Sequence, residues 1–332
     1  MKRIGSIFLV LCSFLIAAIG QTAAQTGSGS WVRQKAGTMA WLRSVFFLDH
    51  NRGFAVGSKG TLLKTVDGGQ NWKPAAAPTT AIVRDIFFLD EKNGWLVCEE
   101  NIYELKTKDQ TRAFLMKTTD GGETWNRVDL KGIDVNLALV RAVFTRGGRG
   151  WAFGEHGAIY ATRDSGETWN QVESPTRRLL LGGIFVDDDR GWIVGAGATI
   201  IQTSDGGETW YQSRLPQVER TVRFTAASFV DNRLGWAVGS GGNVYRTTNG
   251  GRTWEKQESG VVTDLLDVKF VDAREGWAVG TEGTIIHTVD GGMRWTTERS
   301  ETQHPLERVF FTDKTRGWAV GFGGTVVAYL KQ

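Results

Sequence analysis

One motif is written six times in this chain of 332 residues, and a seventh copy stops halfway. It runs F-x-D-x-x-x-G-W-A-V-G-x-x-G-x-I-x-x-T-x-D-G-G-x-T-W, and its copies end at Trp72, Trp125, Trp169, Trp210, Trp254 and Trp295. The seventh begins at Phe311, passes through Gly317, Trp318, Ala319, Val320 and Gly321, and reaches Gln332 without the D-G-G-x-T-W ending. The register is strict. Gly53 to Asp67, Gly150 to Asp164, Gly191 to Asp205, Gly235 to Asn249 and Gly276 to Asp290 are equally spaced, and only Gly94 to Asp120 carries an insertion. A period of about 40–45 residues with four short β segments is the pattern of a propeller blade. The expected fold is all-β: a seven-bladed β-propeller of four-stranded blades, with residues 25–332 as one domain.

Each blade reads strand by strand. The Phe segment is the innermost strand, for example Val83 to Leu89. The G-W-x-V-G segment is the second strand, G-x-I-x-x-T the third, and the closing Trp begins the outer one. The T/S-x-D-x-G-x-x-W element is an Asp-box, as in Thr118 to Trp125. Its carboxylate can accept backbone N–H groups inside a tight turn whose glycines supply positive φ. Asp67, Asp120, Asp164, Asp205, Asn249 and Asp290 are therefore expected to be structural. The Trp is expected to pack its ring on neighbouring strands and to aim its indole N–H at a turn acceptor. All of the 14 tryptophans except Trp31 and Trp41 belong to the repeat.

The broken seventh copy predicts how the ring closes. It lacks an outer strand, having only Val309 to Thr312, Trp318 to Gly321 and Thr325 to Leu330. The fragment Ser30-Trp31-Val32-Arg33-Gln34 matches the missing piece. Pairing it with Thr325 to Leu330 would complete the blade and remove an open sheet edge. Before it, Lys2 and Arg3 precede the apolar run Ile4 to Ile19 and the small residues at Thr22-Ala23-Ala24. That pattern predicts a signal peptide over residues 1–24, hence export. Cleavage leaves Cys98 as the single cysteine, so no intramolecular disulfide is expected. It also lowers the formal charge from +3 to +1 by removing Lys2 and Arg3, which gives no field for nucleic acid.

Function is expected where the repeat is broken. The connections from each outer strand to the next inner strand, and the turns between second and third strands, should share one open face. The Asp-boxes should lie on the other. The length departures fall on the open face: a blade-2 insertion over Glu99 to Leu115, expected as a charged hairpin extension, and the connections Asp129 to Leu139 and Pro216 to Thr225. Arg308, Arg43, Arg84 and Arg141 stand at the start of the inner strand in blades 7, 1, 2 and 3, which are consecutive around the ring. Arg177, Arg178, Arg220 and Arg223 add charge nearby. Such an arc can hold carboxylates bidentately, or its members can pair with acids such as Asp85 and Glu307. His50, His156, His287 and His304 occupy unrelated positions, so neither metal nor cofactor is expected. Asp187-Asp188-Asp189 reads as a solvated turn.

The unit from Gly276 to Trp295 resembles the repeat of the photosystem II stability/assembly factor family. These are exported seven-bladed propellers of cyanobacteria and chloroplasts, with relatives in non-photosynthetic bacteria. The resemblance spans essentially all of the mature chain. It implies a non-enzymatic chaperone for a newly made reaction-centre protein, with an arginine patch as contact surface. Arg43, Arg84, Arg141 and Arg308 would correspond to that patch, with Arg178 and Arg223 beside it. The implied partner is a segment of an envelope or membrane protein, the photosystem II reaction-centre protein in a photosynthetic cell. The implied location is the periplasm, the extracellular space or the thylakoid lumen, as a monomer without membrane insertion. The competing reading is an Asp-box glycoside hydrolase of sialidase type, or a carbohydrate-binding propeller. A hydrolase needs two flanking carboxylates or a Tyr nucleophile with arginines, and the open-face turns offer only Glu155 and Glu282.

Overall fold

The computed structural model describes residues 29–331 except 77, 106–109, 129, 131, 135 and 216–220. The expected signal peptide, Arg220 and parts of the three irregular connections therefore lie outside the described residues. Seven four-stranded antiparallel sheets form the blades. In the first six, the four strands follow chain order from the inner strand outward. The seventh takes its outermost strand from the N-terminal side, as the broken copy predicts.

The repeated Phe and the repeated second-strand aromatic are two halves of one contact. Trp151 stacks on Phe185 of the next blade with centroids 3.4 Å apart, and Trp236 does the same on Phe270 at 3.4 Å. Trp318 of blade 7 stacks on Phe47 of blade 1 at 3.5 Å, so the contact runs around the closure. Each such pair removes most of two large rings from water. The Gly that opens the second strand is required by the same Phe, since a Cβ on Gly53 would fall 2.5 Å from the Phe47 ring. The motif therefore encodes the seams between blades as much as the blades themselves.

The Asp-boxes form the expected turns. Asp164 Oδ1 accepts from Thr168 N at 2.9 Å and Thr162 Oγ1 at 2.7 Å, and Thr162 Oγ1 in turn accepts from Gly166 N at 2.9 Å. Burial works against the charge of Asp164, but the Thr168 and Thr162 donors outweigh it and hold the carboxyl down to about 2. The indole expectation fails for most copies. Trp169 donates to Gly166 O at 3.2 Å, whereas Nε1 of Trp125, Trp210, Trp254 and Trp295 meets no acceptor. At three seams the turn carbonyl is instead reached by the second-strand Trp of the preceding blade: Trp318 to Gly68 O at 2.9 Å, Trp192 to Gly250 O at 3.1 Å and Trp236 to Gly291 O at 3.0 Å, whereas Nε1 of Trp95, Trp151 and Trp277 meets no acceptor. At those three seams the stacking that seats the ring on the next blade also brings its N–H to that blade's turn.

Closure uses Ser30–Lys35 against Thr325–Leu330, in register from Ser30 opposite Leu330 to Lys35 opposite Thr325. Trp31 is buried edge-on against Phe311 at 5.8 Å and donates Nε1 to Glu298 Oε2 at 2.8 Å. The two inner strands of blade 7 run longer than expected, over Leu306–Phe311 and Arg316–Gly321. The outer strands start just after the Asp-box Trp, as in Asn126–Val128. The blade-2 insertion extends its hairpin through the pair Glu99 and Ala113 and the bond from Glu100 N to Arg112 O at 2.8 Å, and carries a short 3-10 segment at Ile102–Glu104.

Two faces follow from the backbone. Ser58 N bonds Trp41 O at 3.0 Å and Gly60 N bonds Ala81 O at 2.7 Å, which ties the turn after the second strand to the connections leading into the inner strands. Gly68 N bonds Asn51 O at 2.9 Å, which puts the Asp-box beside the turn between first and second strands, on the opposite face.

Candidate partner-binding face

The predicted arginine arc occupies two levels, because every inner strand except its first residues is in a fixed register. Each strand has an irregularity near its start. Directly after it stand Ser44, Asp85, Arg141, Gly182, Ala226, Asp267 and Arg308, opposite equivalent second-strand residues. Arg43 and Arg84 lie one residue earlier, at the irregularity itself. Arg141 and Arg308 therefore belong inside the bore, and Arg43 and Arg84 at its mouth.

Inside the bore, charges join neighbouring blades and also blades that are not neighbours. Arg308 Nη2 of blade 7 lies 3.0 Å from Asp85 Oδ1 of blade 2, and Arg308 Nη1 lies 3.9 Å from Asp267 of blade 6. Arg141 Nη2 of blade 3 lies 3.4 Å from Asp267 Oδ1. The row Asp85, Arg308, Asp267, Arg141 thus spans the bore with alternating sign. Asp85 also accepts from Ser44 Oγ at 2.7 Å, and Asp267 from Val309 N at 3.0 Å. The two carboxylates are only 6% and 4% exposed. Burial pushes both carboxyls up to about 6, with the Arg141 charge pulling the other way. Two residues beyond Asp267 on the same strand, burial lowers the Lys269 ammonium, and Asp267 offsets part of that.

Of the two arrangements the sequence left open, the structure shows the paired one for Arg141 and Arg308, which are committed to two acids inside the bore. The reason lies in closure: Asp85 and Asp267 are distant in sequence from both arginines, and only a ring of seven inner strands at one level brings them together.

At the mouth, Arg43 lies over the Trp41 ring at 3.7 Å, with Nη1 3.5 Å from Glu307 Oε1. Burial lowers its pKa, and Glu307 acts in the opposite sense. Trp41 Nε1 donates to Glu307 Oε1 at 2.8 Å, and the Trp41 ring meets Phe322 edge-on at 5.3 Å. Phe322 is 46% exposed and nearby Met39 is 82% exposed. Arg84 pairs with buried Glu99, which also holds Arg112. Arg112 reaches on to Glu155 at 3.1 Å. Arg178 and Arg223 are exposed, and among the described residues no acid pairs with either. Nε of Arg43, Arg141 and Arg308 is buried without an acceptor. The sequence reading named Asp85 and Glu307 as pairing acids, but it missed Asp267 as the companion of Asp85 in the bore and Trp41 and Phe322 as an aromatic pair. The available signals were two acids on otherwise apolar inner strands, a Trp outside the repeat, and a Phe where other turns carry small or polar residues.

The Asp-box residues Asp67, Asp120, Asp164, Asp205, Asn249 and Asp290 all accept hydrogen bonds within their own turns, away from this face.

Three overlapping stretches, 70–179, 167–261 and 256–330, match the family described as photosynthesis system II assembly factor YCF48. The chain belongs to this family. Among solved structures, YCF48 bound to D1 peptide superposes with a TM-score of 0.74 at 21% identity, covering 91% of this chain and 96% of that one. YCF48 from Cyanidioschyzon merolae gives 0.73 at 20% identity, covering 91% and 99%. The GH74 xyloglucanase from Xanthomonas campestris gives 0.72 at 14% identity, covering 92% of this chain and 54% of that one. At these identities the superpositions establish a shared fold. No curated protein sequence matches the chain. YCF48-family membership and the seven-bladed propeller thus rest on independent observations, one from sequence and one from structure.

Proposed function

We propose that this YCF48-family propeller is an exported, non-enzymatic binding protein. It holds a segment of an envelope or membrane protein on its open face across blades 7, 1 and 2. One observation carries the reading: Arg43 is stacked on Trp41 beside exposed Phe322 and Met39, with its Nε buried and unpaired. A cation on an aromatic platform next to exposed apolar side chains suits a peptide with an acidic or C-terminal carboxylate and an apolar neighbour. Arg178 and Arg223, exposed before the inner strands of blades 4 and 5, add positive charge elsewhere on the same face. In a photosynthetic cell the partner would be a reaction-centre protein, a reading supported by the solved relative that carries a D1 peptide. Lys2, Arg3 and the apolar run after them motivate the export.

The glycosidase reading is disfavoured by the state of its two candidate acids. Glu155 is tied to Arg112 and to Ala138 N at 3.0 Å, and Glu155 and Glu282 stand on the turns of blades 3 and 6. The test is titration of a labelled D1 peptide into the mature chain. Phe322→Ser and Arg43→Ser should each weaken binding by about tenfold, the effect of losing ~1.4 kcal/mol at an anchor. Added salt should weaken it further. Affinity indifferent to both substitutions would refute this face as the site.

A further inference from the structure

A second polar site lies on the opposite face, in the seam between blades 4 and 5. A cavity of about 630 Å³ is lined there by Arg190, Arg233 and Arg252 together with Trp192, Asn249 and Tyr211. No carboxylate lines it. The three arginines are exposed, and none has an acid partner among the described residues.

Most of the acids in adjacent sequence are engaged elsewhere. Asp187 accepts from Arg190 N at 2.7 Å, and Asp231 accepts from Arg233 N at 2.7 Å, so both serve backbone turns. Asp189 pairs with Arg149 at 3.5 Å and Glu208 with Arg163 at 2.6 Å. Asp205 Oδ1 accepts from Thr209 N at 3.0 Å and Thr203 Oγ1 at 2.8 Å, and Oδ2 accepts from Thr209 Oγ1.

The repeat shows that this seam departs from its equivalents. The blade-2, blade-3 and blade-4 boxes read Asp-Gly-Gly-Glu or Asp-Ser-Gly-Glu, and their glutamates pair with a cation of the preceding blade: Glu123 with Lys64 at 2.8 Å, Glu167 with Lys117, and Glu208 with Arg163 at 2.6 Å. The blade-5 box reads Asn249-Gly250-Gly251-Arg252, and Gln202 stands where Lys64 and Lys117 stand. Both acids of the ordinary box are thus missing at one seam, and a cation has replaced one of them. The turn itself is intact, since Asn249 Oδ1 accepts from Thr253 N at 3.0 Å and Trp192 still donates to Gly250 O. Folding therefore does not require these replacements.

We propose that the blade 4–5 seam binds a small polyanion, one carrying two or more phosphate or carboxylate groups. Guanidinium forks from three loops would clasp the oxyanions bidentately, and the exposed Tyr211 ring offers a flat surface to the rest of the ligand. The cavity is of the size that small-ligand sites occupy. This inference is independent of the open-face reading, since the two sites lie on opposite faces.

The test uses calorimetric titration of the mature chain at low ionic strength with two probes, inorganic pyrophosphate and citrate, which separate phosphate from carboxylate sources. Saturable binding of at least one is expected. Asn249→Asp combined with Arg252→Glu rebuilds the blade-2 box at this seam, so the variant should keep its thermal midpoint. It should bind the preferred probe more weakly by about tenfold or more, as expected for losing a charge-assisted contact and gaining two repelling acids. Binding of the D1 peptide should be unchanged in that variant. Failure of both probes to bind, or binding that the rebuilt box leaves intact, would overturn the proposal.

Discussion

Replacing Arg308 by Met tests whether the bore is held by compensated charge. Met has a similar length and no donors. The substitution removes the 3.0 Å contact to Asp85 and the second cation near Asp267. Asp267 keeps Arg141 at 3.4 Å and Val309 N at 3.0 Å. Asp85 keeps the Ser44 hydroxyl at 2.7 Å, a long contact to Ala142 N at 3.4 Å, the Ile86 amide and the more distant Arg141 charge, but loses its direct cation. Losing a charge-assisted hydrogen bond costs ~1.5–3 kcal/mol, and stranding a buried charge raises that to ~3–5 kcal/mol. The surviving Ser44 donor places the expected loss near the overlap, at about 3 kcal/mol. The assay is urea denaturation followed by tryptophan fluorescence. Adding Asp85→Asn should recover most of the loss, because the amide needs no counter-charge. The loss should also shrink with acid. Burial sets the Asp85 carboxyl at about 6 in the native protein against an ordinary value of 3.8. The native state then takes up a proton that the unfolded chain releases, so stability falls as pH rises through this window, and the full penalty stands above it. The deficit of the single variant should therefore be smaller near pH 5 than at about pH 7.5. Equal losses for the single and double variants at about pH 7.5, with no pH dependence, would refute the idea of an uncompensated carboxylate.

Other expectations are independent of the bore. Trp31→Ala should cost ~3–5 kcal/mol, as for other buried aromatics, because it empties the Phe311 and Tyr329 contact at ring closure; a variant that denatures like the parent would show that the closing strand adds little. Asp205→Ala should cost about 1 kcal/mol by leaving the Thr209 amide without its acceptor, while D1-peptide binding stays unchanged; lost binding at unchanged stability would move function to the Asp-box face. Acid should act in two opposite senses. From neutral pH down to the ordinary carboxylate range, Asp85 and Asp267 favour the native state, whereas below that range stability falls as carboxyls such as Asp164, held at about 2, are protonated. A denaturation midpoint profile over pH reads both limbs, and Asp85→Asn with Asp267→Asn should flatten only the upper one.

The sequence determined whatever repeats, because a periodic contact needs only the motif and its neighbour. Phe47, Trp318 and their equivalents specify each seam, the Thr and Asp of each box specify its turn, and the missing seventh ending specifies that Ser30–Lys35 must close the ring. The candidate site was legible only as positions. Arg43, Arg84, Arg141 and Arg308 were found by their place on the inner strands, but for all except Arg84 the pairing depends on acids far away in the sequence. Ring closure puts Asp85 and Asp267 at the level of Arg141 and Arg308, and a register offset of one residue lifts Arg43 and Arg84 out to the mouth. Likewise, the charge of the blade 4–5 seam depends on which nearby acids are already bonded. Local chemistry dictates the blade, whereas electrostatic pairing is non-local and takes its form only when seven blades share one axis.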